Sequence, residues 1–145
     1  ERDTWTVAGL LHDFDYQRHP SVEEHPFVGV EYLRNNTDVG EEVIEAILGH
    51  ATYSGVERIT AMAKTLFAVD ELAGFIVACA LVRPTGLEGM QAKSVKKKLK
   101  NKKFAAAVSR EDIAVGIEEM DVELTEHIDR CIDAIRTAGI NIHTQ

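Results

Sequence analysis

Proline is scarce, with three in 145 residues. Long stretches therefore lack a helix breaker, and most apolar residues recur at helical spacing, so helix is favoured. Cysteine is scarcer still. Cys79 and Cys131 lie far apart, which excludes a zinc finger. Each falls within an apolar helical pattern and reads as a reduced core residue, which suits a cytoplasmic protein. No long apolar run exists either. The most apolar stretch, from Leu66 to Val82, is interrupted by Asp70 and Glu71 and is short for a membrane span, so it reads as a buried core helix. No signal peptide is visible. Glycine-rich phosphate loops, Ser-His-Asp spacings, strand patterns, repeats and linkers are also missing. Positive charge is in deficit, with 16 basic against 24 acidic residues and a net charge of −8. That argues against broad binding to nucleic acid or to an anionic membrane, and an anionic substrate would need a local basic patch or a metal.

What is present describes an ordinary globular chain, 45% hydrophobic and 28% charged, of a length that suits one domain over residues 1–145. It starts at Glu1, without Met and already in a helix-like pattern, as expected of a trimmed or incomplete product. Asp3 or Thr4 can cap a first helix that turns Trp5, Ala8 and Leu11 inward and ends near His12-Asp13. A polar loop follows, and Pro26 suits the first turn of a second helix bearing Phe27, Val30 and Leu33. Asn35 to Gly40 reads as a turn. Glu41 and Glu42 then favour the start of a third helix with Val43, Ile44, Ile47 and Leu48, stopping around Gly49-His50. Tyr53-Ser54-Gly55 reads as a loop. A long fourth helix is predicted from about Arg58 to Val82, stopped by Pro84. A lysine-rich helix spans roughly Glu88 to Lys103. Ser109 and Asp112 form an acidic variant of the capping box, opening a helix with Ile113 and Ile117. A last helix places Ile128, Cys131, Ile132 and Ile135 on one face, with Gly139 as terminator.

Chemistry concentrates at a few positions. In the fourth helix, steps of three and four put Asp70 on an inward stripe with Ile59, Ala63, Leu66, Ala73, Val77 and Leu81. A buried carboxylate needs compensation, so Asp70 is either a structural hydrogen-bond acceptor or a metal ligand. His12-Asp13 closes the predicted first helix. The pair is either a dipole-stabilised helix end or a mixed imidazole–carboxylate ligand set for a divalent ion with open positions.

The run Ala8-Gly9-Leu10-Leu11-His12-Asp13-Phe14-Asp15-Tyr16 resembles the signature segment of the HD-domain phosphohydrolases. Ala68-Val69-Asp70-Glu71-Leu72, at a fitting distance after Gly49-His50, resembles the segment with that family's distal aspartate. Leu81-Val82-Arg83-Pro84 and Lys93-Ser94-Val95-Lys96-Lys97-Lys98 are similar to a bacterial subgroup of the same hydrolases. The resemblance implies an all-α, HD-domain-like helical bundle with a metal site between helices. The family's ligand set is a histidine on an early helix, the His-Asp pair and the distal aspartate. It maps onto His12, Asp13 and Asp70, and the early histidine has no counterpart after Glu1.

In some relatives further histidines between the pair and the distal aspartate bind a second metal or contact phosphate. His25, at a helix start, and His50, at a helix end, are the candidates here, and each can equally be a structural helix-end residue. Asp15 and Glu71 are placed to orient a histidine or accept a proton from water. Most of the lysines from Lys93 to Lys103 form a solvated helix face. One or two, Lys93 and Lys97 foremost, can bind a substrate phosphate, as can Arg83. Aromatics are not interleaved among these lysines, which argues against nucleic acid. His127 reads as structural, and His19 and His143 as exposed.

The resulting expectation is a metal-dependent phosphohydrolase acting on a nucleotide or other small phosphomonoester. Its cofactor would be a divalent ion (manganese, magnesium, iron, cobalt, nickel or zinc), with Asp13 and His50 taking catalytic parts. The rival expectation is a non-catalytic HD-like module that binds a nucleotide or a protein partner.

Overall fold

The computed structural model describes residues 2–139 and 142, and His143 lies outside them. Among the described residues there are seven α-helices and no strand: α1 (Arg2–Leu11), α2 (Phe27–Asn36), α3 (Glu41–His50), α4 (Ala61–Leu81), α5 (Ala92–Leu99), α6 (Arg110–Met120) and α7 (Leu124–Thr137). A 3₁₀ turn, Thr52–Ser54, follows α3. The chain divides into two compact units, Glu1–Phe67 and Ala68–Gln145, with the boundary inside α4. No described helix is long and apolar enough to cross a membrane.

In the first unit α3 packs against both α1 and α2. Its Val43, Ile44, Ala46 and Ile47 are almost wholly buried, beside Ala8, Val30, Leu33, Met62, Ala63 and Leu66. Burial of each larger aliphatic side chain contributes about 1.5–3 kcal/mol, so α3 is the fixed reference of this unit. α1 presents a narrower face. Ala8 is buried, but Trp5 is 40% exposed, contrary to its expected inward position. Trp5 lies at the edge of the stripe through Ala8, and one small contact face on α3 leaves that edge uncovered. Phe27, at the first position of α2, is likewise partly exposed. His19 is half-buried rather than exposed, with Nδ1 3.0 Å from Glu24 Oε1.

In the second unit, Leu72, Phe75, Ile76, Cys79, Val95, Ile113, Ile128 and Ile132 form the core. The predicted stripe of α4 needs correction. Ile59 precedes the helix and is exposed, Leu81 is exposed, and the buried positions of the second half are Leu72, Phe75, Ile76 and Cys79 rather than Ala73 and Val77. Asp70 is partly buried. The helix is apolar around most of its circumference, so several registers of three and four fit its sequence and packing selects one. The lysine-rich helix is also shorter than predicted, because Gly89 takes φ +65° before it and turns follow Lys100. It pairs antiparallel with α7. Ala92 N–H donates to Asp129 Oδ1 (2.9 Å) at one end, and Lys96 Nζ donates to Thr125 Oγ1 (2.9 Å) at the other. Ser109 caps α6 by accepting from Asp112 N–H at 3.1 Å.

Cys79 and Cys131 are free and buried, and burial pushes the Cys131 thiol up to about 11. His127 is structural, with Nε2 3.0 Å from the Ala68 carbonyl.

Gly116 makes a tight approach in this unit, since a Cβ there would stand 2.7 Å from Ala68 Cα. Backbone cannot yield as a flexible side chain can. Gly116→Ala is expected to lower the unfolding free energy by roughly 1–3 kcal/mol in a urea titration, whereas the same change at Gly74, where a Cβ meets nothing within 4 Å, is expected to be neutral or stabilising.

Candidate metal centre

α1 ends at Leu11, and the next two residues are His12 and Asp13. The loop to α2 carries Asp15 and His25, and α3 ends on His50. Three segments of the first unit thus deliver four side chains to one place. Asp13 Oδ1 lies 3.3 Å from His25 Nε2 and 3.3 Å from His50 Nε2, and the two Nε2 atoms are 3.2 Å apart. On the other carboxylate oxygen, His12 Nε2 stands 3.5 Å from Asp13 Oδ2. The two histidines that face each other are nearly enclosed, with side chains 4% and 6% exposed, whereas the Asp13 side chain is 52% exposed. The cluster therefore opens to solvent through its carboxylate.

The far sides of the imidazoles decide what the near sides can do. His12 Nδ1 lies 2.8 Å from the Gly9 carbonyl, and His50 Nδ1 is in short contact with the Ile47 carbonyl. A carbonyl only accepts, so each Nδ1 carries the hydrogen. His25 Nδ1 lies 2.7 Å from Asp15 Oδ1, within a buried pair that sets the same tautomer. Asp15 is itself held, since Oδ2 accepts from Gly29 N–H at 2.8 Å. With Nδ1 protonated, a neutral imidazole offers only a lone pair at Nε2. Two lone pairs 3.2 Å apart beside a carboxylate repel one another unless a cation lies among them.

That cation is a proton or a metal. A proton on His50 Nε2 bonds to Asp13. This bond, with the positive charge that His12, His50 and His25 bring when protonated, holds the Asp13 carboxyl below its usual value despite partial burial. The carboxylate's favourable interactions are thus present above the ordinary carboxyl range for as long as the histidines carry their protons, and they are lost as pH falls through the lowered value. A metal also fits. Ligand atoms bonded at about 2.1 Å stand roughly 3.0 Å apart at right angles and roughly 3.4 Å apart in a tetrahedron, and the observed separations fall in that interval. Asp13, His25 and His50 together satisfy the donor chemistry and spacing of a metal site.

Asp70 lies on α4, within the second unit. Glu71, considered as a positioning residue, accepts from Ser109 N–H at 3.0 Å. Arg83 clasps the loop after α4, donating to the Gly86 and Glu88 carbonyls at 2.9 Å each. Those bonds use Nε and one of the two terminal nitrogens of its guanidinium. Lys93 and Lys97 lie along α5.

Sequence reasoning overlooked Gly29 and Tyr16. A Cβ on Gly29 would fall 2.7 Å from the Asp15 carboxylate, and a glycine inside a helix is the available signal for such an approach. Tyr16 sets its ring edge-on to His25, with centroids 5.1 Å apart. Tyr53, just after α3, has its phenol pushed up by burial and then by the negative charges of Asp13, Tyr16 and Asp15, so it keeps its proton and can donate.

Gly29→Ala is expected to displace Asp15 and leave a buried polar group unpaired, costing about 1–3 kcal/mol by chemical denaturation. The His25 imidazole signals should shift in the NMR spectrum of this variant while those of His127 stay in place.

A model of the HD domain matches residues 1–74, just over half of the chain. No curated protein and no solved structure matches it. The matched stretch contains the His12-Asp13 pair, both converging histidines and Asp70, and the chain belongs to the HD-domain family.

Proposed function

We propose that this protein is a metal-dependent phosphohydrolase whose substrate is a nucleotide or another small phosphomonoester. HD domains are commonly hydrolases of this metal-dependent kind. The observation that carries the proposal is the face-to-face approach of His25 Nε2 and His50 Nε2 at 3.2 Å beside the Asp13 carboxylate. His25, His50 and Asp13 would hold a divalent ion, with His12 and Asp70 joining them as the resemblance to HD hydrolases implies.

When bound, such an ion makes water a stronger acid at neutral pH and polarises a phosphoryl oxygen. The chain supplies the rest. Asp13 is half exposed, and its Oδ2, on the His12 side, can accept a hydrogen bond from the attacking water and orient it towards phosphorus. Asp15 keeps His25 in one tautomer and one orientation, so no reorganisation is needed during reaction. The protonated Tyr53 can donate to a phosphoryl oxygen as charge develops there. The exposure of Asp13 admits a small ester, and the buried histidines keep the remaining side of the site dry.

Two measurements test this reading on the full chain. Added Mn²⁺ should raise the melting temperature, corresponding to about 2.7 kcal/mol at a hundredfold excess over its dissociation constant. His25→Ala and His50→Ala should abolish that shift. Asp15→Asn, which leaves the ligands in place, should weaken metal affinity by roughly 10–100-fold. Hydrolysis of nucleoside monophosphates and of p-nitrophenyl phosphate should require the metal and be lost in Asp13→Ala and Asp70→Ala. Turnover that survives Asp70→Ala removes Asp70 from the mechanism. A full chain that binds Mn²⁺ and hydrolyses no phosphate ester is a binding module instead.

A further inference from the structure

We propose that α5 and the beginning of α7 form a binding groove for a small polyphosphorylated anion. The groove lies outside the stretch matched by the HD domain and does not rest on the metal-site reading.

The charge distribution motivates the search. Residues 91–103 contain seven lysines and no acid, while the other nine basic residues of the chain stand against all 24 acidic ones. Four of the seven, Lys93, Lys96, Lys97 and Lys100, follow the i, i+3, i+4, i+7 spacing of one helical face. Such like-charge neighbours destabilise a helix, and in eight residues they are concentrated where little else stabilises it. Among the described residues none of these four lysines forms an ion pair. Lys98 is different, since its ammonium sits 4.4 Å over the Phe104 ring.

The same four lysines, with Thr125, line an open concavity of about 390 Å³. That volume is of the scale of a small-molecule site. The groove is also built into the fold. Asp129 fixes the start of α5 through the Ala92 N–H, and Lys96 is held against Thr125 Oγ1. Thr125 is the second residue of α7, so the wall of the groove is the positive end of that helix. Besides Asp129, which holds the Ala92 N–H, Glu123 is a nearby acid. Its carboxylate is occupied in accepting from the Glu126 N–H and from Thr125 Oγ1, and those bonds hold it below its usual range.

The groove's chemistry selects the ligand class. From Lys93 to Lys100 the ammonium row runs about 10 Å along the helix, which suits linked phosphates better than a single one. None of the lining residues is aromatic, so base stacking has no platform. The acidic remainder of the chain repels an extended polyanion or an anionic membrane, while a compact anion can enter a local positive well.

Calorimetric titration of the full chain in EDTA tests the proposal, with tripolyphosphate as the probe and orthophosphate, sulfate and a single-stranded oligonucleotide as comparisons. Tripolyphosphate should bind one to one, about tenfold or more tighter than orthophosphate or sulfate, and more weakly as NaCl is added. The combined variant Lys93→Gln, Lys97→Gln, Lys100→Gln should lose about tenfold or more of that affinity with an unchanged circular dichroism spectrum. Asp13→Asn should bind tripolyphosphate as the parent does, which separates this groove from the metal centre. Undiminished binding in the triple variant, or loss of binding in Asp13→Asn alone, would falsify the assignment. So would the absence of binding, equal affinity for orthophosphate, or a stronger preference for the oligonucleotide.

Discussion

The candidate site depends on the hydrogen bonds behind its imidazoles. Gly9, Ile47 and Asp15 each offer an acceptor to the Nδ1 of one histidine, which orients the rings and turns each Nε2 towards Asp13. Without a cation among them, two Nε2 lone pairs 3.2 Å apart repel, so the rings are fixed from behind. Two of the acceptors are carbonyls of the last helical turn, in α1 and α3, and the third is a carboxylate pinned to the first turn of α2. The ends of three helices are therefore part of the chemistry, and whatever holds these ends in register holds the site.

In the first unit that register comes from α3. Its buried aliphatic face receives α1 and α2, and each neighbour delivers its share of the cluster from the end nearest the loop. Outside the core, Arg34 and Glu41 bridge the turn between α2 and α3 with a two-pronged pair at 2.9 and 2.7 Å. The pair is exposed and screened by solvent, so it aligns the helix ends more than it stabilises them. The second unit is built on a different principle. A helix that is apolar nearly all round supplies much of its core, and the surrounding helices are placed by polar anchors: Asp129 accepts from Ala92 N–H at the start of α5, Glu71 accepts from Ser109 N–H before α6, and His127 of α7 meets the Ala68 carbonyl.

Helix positions were largely readable from residue order, because capping, dipole and period are local effects. Glu41 and Glu42 at the start of α3, Ser109 before α6 and Gly139 after α7 each act within one turn of their own position. The departures on apolar faces have one source. Periodicity turns Trp5 inward, and it gives α4 one stripe among several that its sequence allows. Which apolar face is covered depends on the neighbour that arrives, and periodicity carries no record of the neighbour.

The same division separates the elements of the site. Residue order alone determined that His12 and Asp13 stand together at a helix end, that seven lysines share a segment free of acids, and that the chain is helical. Only tertiary structure decided that His25 and His50, 25 residues apart, meet through Nε2, that Asp15 and Gly29 lock one of them, and that Arg83 closes a loop. The reason is range. A cap or a helical stripe is settled by interactions spanning a few residues. The tautomer and direction of an imidazole are settled by an acceptor that folding brings from elsewhere in the chain.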